Sequence, residues 1–456
     1  MAGTAGEVLT AAAVETIARG GGLVAGRAGG HRPTLSPAPH DFADSRRNHD
    51  GQFRRAAKLL VVMRWVTGRV VLGALGAGFV TAIAGMALFR SNPGWMYDLK
   101  VYRDSAAIIW RGGDLYPAVS AHPFTYPPFA GLLLLPLLAA PPEVDAIAWT
   151  ALSAACLAVT VWICLRWAAP ALSGPKRIAL ILLGGLAGIW LDPVAATLLA
   201  GQVNLFLLLL VVADLAQPES HPWKGAGIGL ATAVKLTPAL FIVFLVATGR
   251  IRAALVAAAS FAATVLIGFL VRPADSLRYW SGTFLESSRV GDAQNIRSQS
   301  IQSLVVRWTH DGAAGGVGWL VLAALVAVAA LLLAAKAHRR GDELLAACTC
   351  GAGALLVSPI TWQHHWVWVL PILVWLGCRA VERRSGWLGL AAVLIAADFY
   401  ARPYAVLPVD RGQDLRLDFG SLLLASTYAV GMLLFLGVAA LELSRSPSPR
   451  PVPVPS

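Results

Sequence analysis

Long apolar runs constrain the fold of this sequence more than any other feature. The run from Val70 to Phe89 is long enough to cross a bilayer, and comparable runs recur along the chain. Of the 456 residues, 57% are hydrophobic and only 14% are charged, whereas soluble globular proteins carry about 25% charged residues. Because lipid cannot hydrogen-bond free backbone groups, the spans must be helical. The sequence therefore predicts an all-α polytopic membrane protein.

Basic loops predict the topology. Seven Lys or Arg lie from Arg46 to Arg69, and the positive-inside rule puts them in the cytoplasm. The other basic loops assigned to that side are 166–177, 248–252, 336–343 and 378–386. Both termini are then cytoplasmic: residues 1–55 and 444–456 are predicted to be disordered tails, and 56–443 to form the transmembrane domain. The longer polar loops that remain outside are 91–124, 272–315 and 400–418.

Apolar segments give the predicted number of spans. They are 70–90, 145–166, 177–192, 202–217, 224–234, 236–248, 253–271, 316–335, 343–357, 360–378, 386–399 and 419–442. We expect about 12 transmembrane segments, in a range of roughly 10–13, with external surface helices in the first loop. Segments 224–234 and 236–248 are too short for a full span, which predicts two broken halves meeting at Lys235. The stretch 125–142 either enters from outside and returns, or crosses and makes one basic loop external.

Polar residues interrupt the apolar runs on the predicted external side. They are Asp192, Gln202, Asn204, Lys235, His364 and His365. A polar or ionisable residue within a membrane is costly and suggests a functional site. Their common side predicts a site that is reached from outside the cytoplasm.

The external stretch "DLKVYRDSAAIIWRGGDLY" (98–116) has apolar positions at helical spacing, which predicts a helix lying on the outer membrane surface. Asp98 stands at its start, where the helix dipole favours a carboxylate. Asp98 is either a functional carboxylate or merely the N-cap of this helix. Asp104 and Asp114 are weaker candidates, since Asp114 falls in a predicted turn.

A set of motifs occurs in a fixed order along residues 98–378. They are "DLKVY" with Asp98 and Tyr102, "GGDLY" (112–116), "FTYPPFAGLLLLPL" (124–137), "GQVNLFLLL" (201–209), "KLTPALF" (235–241) and "SPITWQHHWVWVLP" (358–371). In this order the set resembles the actinobacterial α-(1→2)-mannosyltransferases of glycosyltransferase family 87, which have the GT-C architecture and use polyprenyl-phosphate mannose. Many relatives carry Asn-Gln-Ser in the second large external loop, and this sequence has Ser298-Gln299-Ser300 there.

The resemblance implies a sugar transfer from a lipid phosphate to a mannolipid or glycan hydroxyl on the outer face. One carboxylate takes the hydroxyl proton, and the family pattern assigns that role to Asp98. The phosphate leaving group needs cations or hydrogen-bond donors around its developing charge. The family's His pair corresponds to His364 and His365, and Lys235 and Arg297 are further candidates for the donor phosphate.

Several residues keep two interpretations. Gln202 and Asn204 either contact sugar hydroxyls or cap a helix, and Tyr126 either stacks on the substrate or anchors the membrane interface. Tyr102, in the same motif as Asp98, is a further candidate for sugar contact. Lys235 either meets an anionic lipid phosphate or forms a salt bridge to Asp192 or Asp214.

Other classes of function are less well supported. The net charge of +12 lies in short loops between apolar runs, and no nucleic-acid-binding motif accompanies it. The five cysteines lie in or beside apolar spans, as small buried hydrophobes do. We expect no cofactor and no metal, although a His pair is a known metal-ligand type. The alternatives kept open are an arabinofuranosyltransferase that uses decaprenyl-phosphate arabinose and, more distantly, a transporter; the predicted location is the plasma membrane.

Overall fold

The computed structural model describes residues 95–117, 123–310, 317–407 and 416–445, together with Gly73. The predicted first span, Val70 to Phe89, lies outside the described residues apart from Gly73. The predicted tail 1–55 and the part of the predicted tail 444–456 that follows Arg445 also lie outside them. Within the described ranges the regular structure is helical, and one isolated bridge joins Ser298 to Trp362. The predicted all-helical class is confirmed.

The α-helices are numbered in chain order. The first group is α1 (Tyr97–Trp110), α2 (Pro128–Leu133), α3 (Pro142–Ala168), α4 (Gly174–Ile189), α5 (Asp192–Ala200), α6 (Asn204–Leu215), α7 (Ala226–Val234), α8 (Ala239–Ala247) and α9 (Ile251–Val271). The second group is α10 (Pro273–Ser281), α11 (Ile301–Thr309), α12 (Val317–Arg339), α13 (Glu343–Val357), α14 (Val369–Arg383), α15 (Gly386–Ala401), α16 (Phe419–Leu424) and α17 (Thr427–Arg445). Short 3-10 helices occupy Leu135–Ala139, Thr283–Leu285, Ser287–Arg289, Gln363–Trp368 and Pro403–Val406.

Four of the described helices, α3, α9, α12 and α17, are long and apolar enough to cross a membrane. Helices α4 and α5 meet at a 73° bend and make a fifth span if they are taken as one broken segment. The apolar helical stretch Pro128–Ala139 is shorter. It is about 18–24 Å long, whereas the hydrocarbon core is about 30 Å thick. This length favours the alternative in which 125–142 enters the membrane and returns.

The predicted break at Lys235 is present. Helices α7 and α8 have 9 residues each, and Lys235 between them is extended, with φ −148° and ψ 131°. Pro238 at the start of α8 has no amide hydrogen to donate to the preceding turn. The break therefore places a lysine where a continuous span would present an apolar side chain.

The two ends of α3 differ in their surroundings. This helix has 27 residues and is about 40 Å long. Near its start Asp145 forms an ion pair with Arg103 of α1, and at its end Trp167 lines a cleft with Arg340 and Arg379. The basic loops 336–343 and 378–386 thus gather at the end of α3 that lies away from α1.

Candidate active site

One cleft of about 860 Å³ collects nearly all of the predicted site residues. Helix α1, the segment 123–127, the end of α5, the break at Lys235, the loop 284–297 and the segment 357–365 form its walls. The predicted residues that line it are Asp98, Tyr102, Tyr126, Gln202, Lys235, Arg297, His364 and His365. Asn204 lines a small adjoining cavity together with Lys235 and His365. Residues separated by more than 250 positions in the sequence therefore share one site.

The start of α1 brings Asp98 into the cleft. The N-cap position is Met96, in the left-handed conformation with φ 52°, and no side chain accepts a cap hydrogen bond there. The amide of Met96 donates to the carbonyl of Leu199 at 2.8 Å, which holds the start of α1 against the end of α5. The alternative in which Asp98 is merely an N-cap is therefore wrong.

The Asp98 carboxylate lines the cleft and accepts a hydrogen bond from the side chain of Gln202. Burial raises the pKa of this carboxyl above its ordinary value, against the lowering effects of the Gln202 hydrogen bond and the charge of Lys235. A raised pKa makes the carboxylate a better proton acceptor, provided that it stays ionised at the working pH.

Two tyrosines orient Gln202. The hydroxyls of Tyr102 and Tyr126 both donate to Gln202 Oε1, at 2.9 and 3.3 Å, and their oxygens lie 3.0 Å apart. Because Oε1 accepts both bonds, the amide nitrogen of Gln202 is left to donate to Asp98. Tyr126 therefore faces the cleft rather than serving only as an interfacial anchor. The hydroxyls and the amide form a polar wall next to the carboxylate.

A glycine permits this wall to form. Gly201 ends α5 with φ +70°, a conformation that favours glycine. A Cβ atom there would lie 2.7 Å from Leu99 Cβ and 3.0 Å from Met96 Sδ. The absence of a side chain at this position lets α5 approach α1 closely enough for Gln202 to reach Asp98.

Helix capping does not explain the polar residues of "GQVN". The N-cap of α6 is Val203, and no side chain caps this helix. Instead, Asn204 Nδ2 donates to the carbonyl of His364 at 2.9 Å, and Thr197 Oγ1 donates to the same carbonyl at 3.0 Å. The capping alternative is therefore wrong for Gln202 and Asn204, and Asn204 ties the histidine segment to α6.

Lys235 points toward the histidine pair. Its Nζ lies 2.7 Å from His365 Nε2 and 5.8 Å from the centroid of the Tyr126 ring, and it donates to Asn204 Oδ1 at 3.4 Å. The carboxylates considered as its partners are engaged elsewhere, and the salt-bridge alternative is wrong.

Those two carboxylates have their own partners. Asp192 accepts hydrogen bonds from Tyr404 at 2.6 Å and Tyr428 at 3.0 Å. Asp214 accepts from the backbone amides of Gly225 at 2.6 Å and Ile228 at 2.8 Å. Neither is left to neutralise the lysine beside the cleft.

The histidines stand on the 3-10 helix Gln363–Trp368, with ring centroids 4.7 Å apart and planes at 83°. His364 Nε2 is buried and has no hydrogen-bond partner among the described residues. Within the described ranges, no group of three or more His, Cys, Asp or Glu side chains has the geometry to hold a metal ion. Both histidines line the cleft, and Nε2 of His365 lies beside Lys235.

The loop that carries Arg297 is held by its neighbours. The backbone amide of Gln299 donates to the carbonyl of Thr361 at 2.7 Å. The Ser300 hydroxyl accepts from the backbone amide of Ser303 and caps α11. The residues Ser298, Gln299 and Ser300 are buried. This stretch is thus structural, whereas Arg297 is exposed and lines the cleft.

Comparisons with known proteins agree with this site. The sequence profile of glycosyltransferase family 87 matches residues 124–359, more than half of the chain. The chain is 31% identical over 363 residues to a polyprenol-phosphate-mannose-dependent alpha-(1-2)-phosphatidylinositol mannoside mannosyltransferase of Mycobacterium tuberculosis, covering 75% of this chain and 82% of the relative. The chain belongs to glycosyltransferase family 87.

Other comparisons extend this result. A polyprenol-phosphate-mannose-dependent alpha-(1-2)-phosphatidylinositol pentamannoside mannosyltransferase of Mycobacterium tuberculosis is 35% identical over 327 residues, covering 65% of this chain and 71% of the relative. No solved structure matches the chain. Membership of family 87 makes the protein a glycosyltransferase, and the transporter alternative is set aside.

The cleft of this family 87 enzyme is lined by one carboxylate and by several basic side chains among the described residues. Among the described residues that line the cleft, Asp98 is the one that carries a carboxylate. Lys235, Arg289 and Arg297 line the same cleft and supply positive charge. A carboxylate can accept a proton from an attacking hydroxyl, and cations can stabilise a departing phosphate. The arrangement suits transfer of a sugar from a phosphate ester to an alcohol.

Sequence reasoning missed Arg289 among these cations. It follows no apolar run and lies in no recognised motif, so nothing in the sequence distinguishes it from Arg278 nearby. Only the packing of the loop 284–297 brings it to the cleft. Gly291 in this loop has no side chain, and a Cβ atom there would lie 2.2 Å from the ring of Trp362.

Proposed function

We propose that this protein transfers mannose from polyprenyl-phosphate mannose to a hydroxyl of a mannolipid or glycan acceptor. The transfer inverts the anomeric configuration from β to α and forms α-(1→2) linkages. The activities named for the relatives support this donor, this linkage and a phosphatidylinositol mannoside as the acceptor. The single observation that carries the proposal is a cleft whose described lining holds one carboxylate, Asp98, together with basic side chains.

In the proposed reaction, Asp98 takes the proton of the acceptor hydroxyl as its oxygen attacks the anomeric carbon. A new bond forms between that oxygen and carbon, and the bond from the carbon to the phosphate oxygen breaks. The electron pair of the broken bond leaves with the polyprenyl phosphate. Because the phosphate is a good leaving group, it needs no second carboxylic acid.

The donor phosphate occupies the cationic wall in this mechanism. Lys235 and the pair His364 and His365 hold it, and Arg297 completes the wall from the second external loop. A lipid phosphate also offsets the cost of Lys235, a half-buried lysine with no carboxylate ion-pair partner among the described residues. Four further residues contact the sugar or the acceptor, or position the side chains that do so: Tyr102, Tyr126, Gln202 and Asn204.

The membrane arrangement follows from the same reasoning. We expect a multi-pass protein of the plasma membrane with about 12 spans, both termini in the cytoplasm and the cleft on the extracytoplasmic face. The gathering of basic loops at the end of α3 away from α1 supports this orientation. The donor reaches the cleft laterally from the bilayer, and the reaction needs neither a nucleotide nor a metal.

Transfer of radiolabelled mannose in membranes tests the proposal. Wild type should transfer mannose from polyprenyl-phosphate mannose, and Asp98→Asn should lower the rate by about 10²–10⁴-fold because it removes the base. Asp104→Asn is the matched control, since Asp104 is exposed on the same helix. Transfer from decaprenyl-phosphate arabinose but not from the mannosyl donor would overturn the donor, and equal rates in the two Asp→Asn variants would remove Asp98 from the mechanism.

A further inference from the structure

Arg289 carries hydrogen-bond donors that the protein does not use. Its side chain is 14% exposed and lines the cleft, and Nη1 donates to the carbonyl of Pro117 at 3.2 Å. Nε and Nη2 are shielded from solvent and have no partner in the described part of the chain. A guanidinium keeps its charge at any physiological pH, and a shielded N–H without an acceptor is costly. An acceptor group of a bound substrate that reaches these donors from the cleft would remove this cost.

Arg289 differs from the neighbouring Arg272 and Arg278 because it forms no close ion pair with a carboxylate among the described residues. Arg272 pairs with Asp275 at 2.5 Å, and Arg278 pairs with Asp114 and donates to the carbonyl of Tyr116 at 3.0 Å. The carboxylate nearest to Arg289 is Glu286, which lies 4.0 Å away and is 54% exposed. An exposed pair at that distance contributes little. Arg289 thus keeps a net positive charge on the cleft wall.

The unpaired edge of the Arg289 guanidinium has the donor pattern of a phosphate contact. Nε and Nη2 lie side by side on one edge of the planar guanidinium, and this edge binds two oxygens of a phosphate or carboxylate in parallel. The edge belongs to a different wall from Lys235, since Arg289 contacts Pro117 whereas Lys235 contacts His365 and Asn204.

We propose that Arg289 binds the phosphoryl oxygens of a lipid substrate in this cleft. The proposal rests on the proposed function, in which the donor is a phosphate ester and a phosphatidylinositol-type acceptor carries a phosphodiester. Both sources offer the same chemistry to the guanidinium, and kinetics separates them.

Steady-state kinetics of the full-length enzyme tests the role of Arg289. Arg289→Gln should raise the KM of one lipid substrate about tenfold or more while kcat changes less. Arg289→Lys, which keeps the charge but not the two-pronged edge, should fall between Arg289→Gln and wild type. Arg278→Gln is the matched control, because Arg278 also binds a carbonyl of the loop 113–117. Equal effects of Arg289→Gln and Arg278→Gln would overturn the proposal and leave Arg289 a structural tether.

A phosphate-free acceptor identifies the source of the phosphate. With a short methyl mannoside as acceptor, Arg289→Gln should match wild type if Arg289 binds the acceptor phosphodiester, and should remain impaired if it binds the donor phosphate. Thermal stabilisation by polyprenyl phosphate and by phosphatidylinositol gives a readout that does not depend on transfer. If Arg289→Gln loses the thermal stabilisation by polyprenyl phosphate or by phosphatidylinositol, the proposal is supported even if the wild-type enzyme transfers no mannose. If both lipids stabilise Arg289→Gln as much as wild type, the proposal is overturned.

Discussion

Substituting Gly201 by alanine tests whether the close approach of α5 to α1 builds the site. Alanine at φ +70° costs about 1–2 kcal/mol of backbone strain. The new Cβ would also lie 2.7 Å from Leu99 Cβ, whereas carbon atoms in contact prefer about 3.5–4.0 Å. Leu99 Cβ cannot rotate away because its position is fixed by the backbone, so the helices must separate by about 1 Å, and such overpacking costs about 1–3 kcal/mol. The free energy of unfolding should fall by about 2–5 kcal/mol.

Gly249→Ala is the matched control for the strain alone. Gly249 has φ +76°, and a Cβ atom there would meet nothing within 4 Å. Its substitution should cost about 1–2 kcal/mol and leave transfer unchanged. Unfolding in detergent, followed by tryptophan fluorescence, measures the difference in stability between the variants. Gly201→Ala should also lose transfer by up to about 10²-fold, because a displacement of about 1 Å misaligns reacting groups. Equal stability and equal transfer in the two variants would refute the role assigned to the close approach.

Two further predictions concern the charges of the cleft. Asp98 must be ionised to accept a proton, and burial raises its pKa above 3.8, so kcat/KM should fall as the pH drops through the raised value. A pH profile whose acid limb is the same in wild type and in Asp98→Glu would assign that limb to another group. Lys235→Met should lower kcat/KM by about 10- to 100-fold, mainly through the KM of the donor, because it removes a charged hydrogen bond to phosphate. Lys100→Met, at an exposed position on α1, is the control, and a similar loss in both variants would contradict the assignment of Lys235 to the phosphate.

Local patterns in the sequence were sufficient to predict the helical class, the helix that follows Asp98 and the break at Lys235. Each depends on neighbouring residues: helical spacing of apolar positions, and apolar segments too short for a span with Pro238 nearby. Most of the polar cleft residues with a proposed role could also be selected from the sequence. A polar or ionisable residue within an apolar run indicates a functional site whatever the tertiary structure around it. Their roles in the reaction stay predictions.

Partners, in contrast, were decided by tertiary packing. The sequence left Lys235 free to pair with Asp192 or Asp214, and the fold instead sets it against His365, 130 positions away. The sequence left Asp98 as a possible helix cap. In the structure it is a carboxylate of the cleft, because Gly201 lets α5 approach the start of α1. Such choices depend on which distant elements meet, and residue spacing carries no information about that.

Arg289 marks the limit of sequence reasoning for the same reason. Arg278 and Arg289 both lie in the external loop, and their local sequences give no ground for separating them. In the structure, Arg278 is paired with Asp114, whereas Arg289 keeps two shielded donors at the cleft. The sequence determined which charges this protein carries, and the tertiary structure decided which of them remain unneutralised, because neutralisation requires partners brought together by the fold.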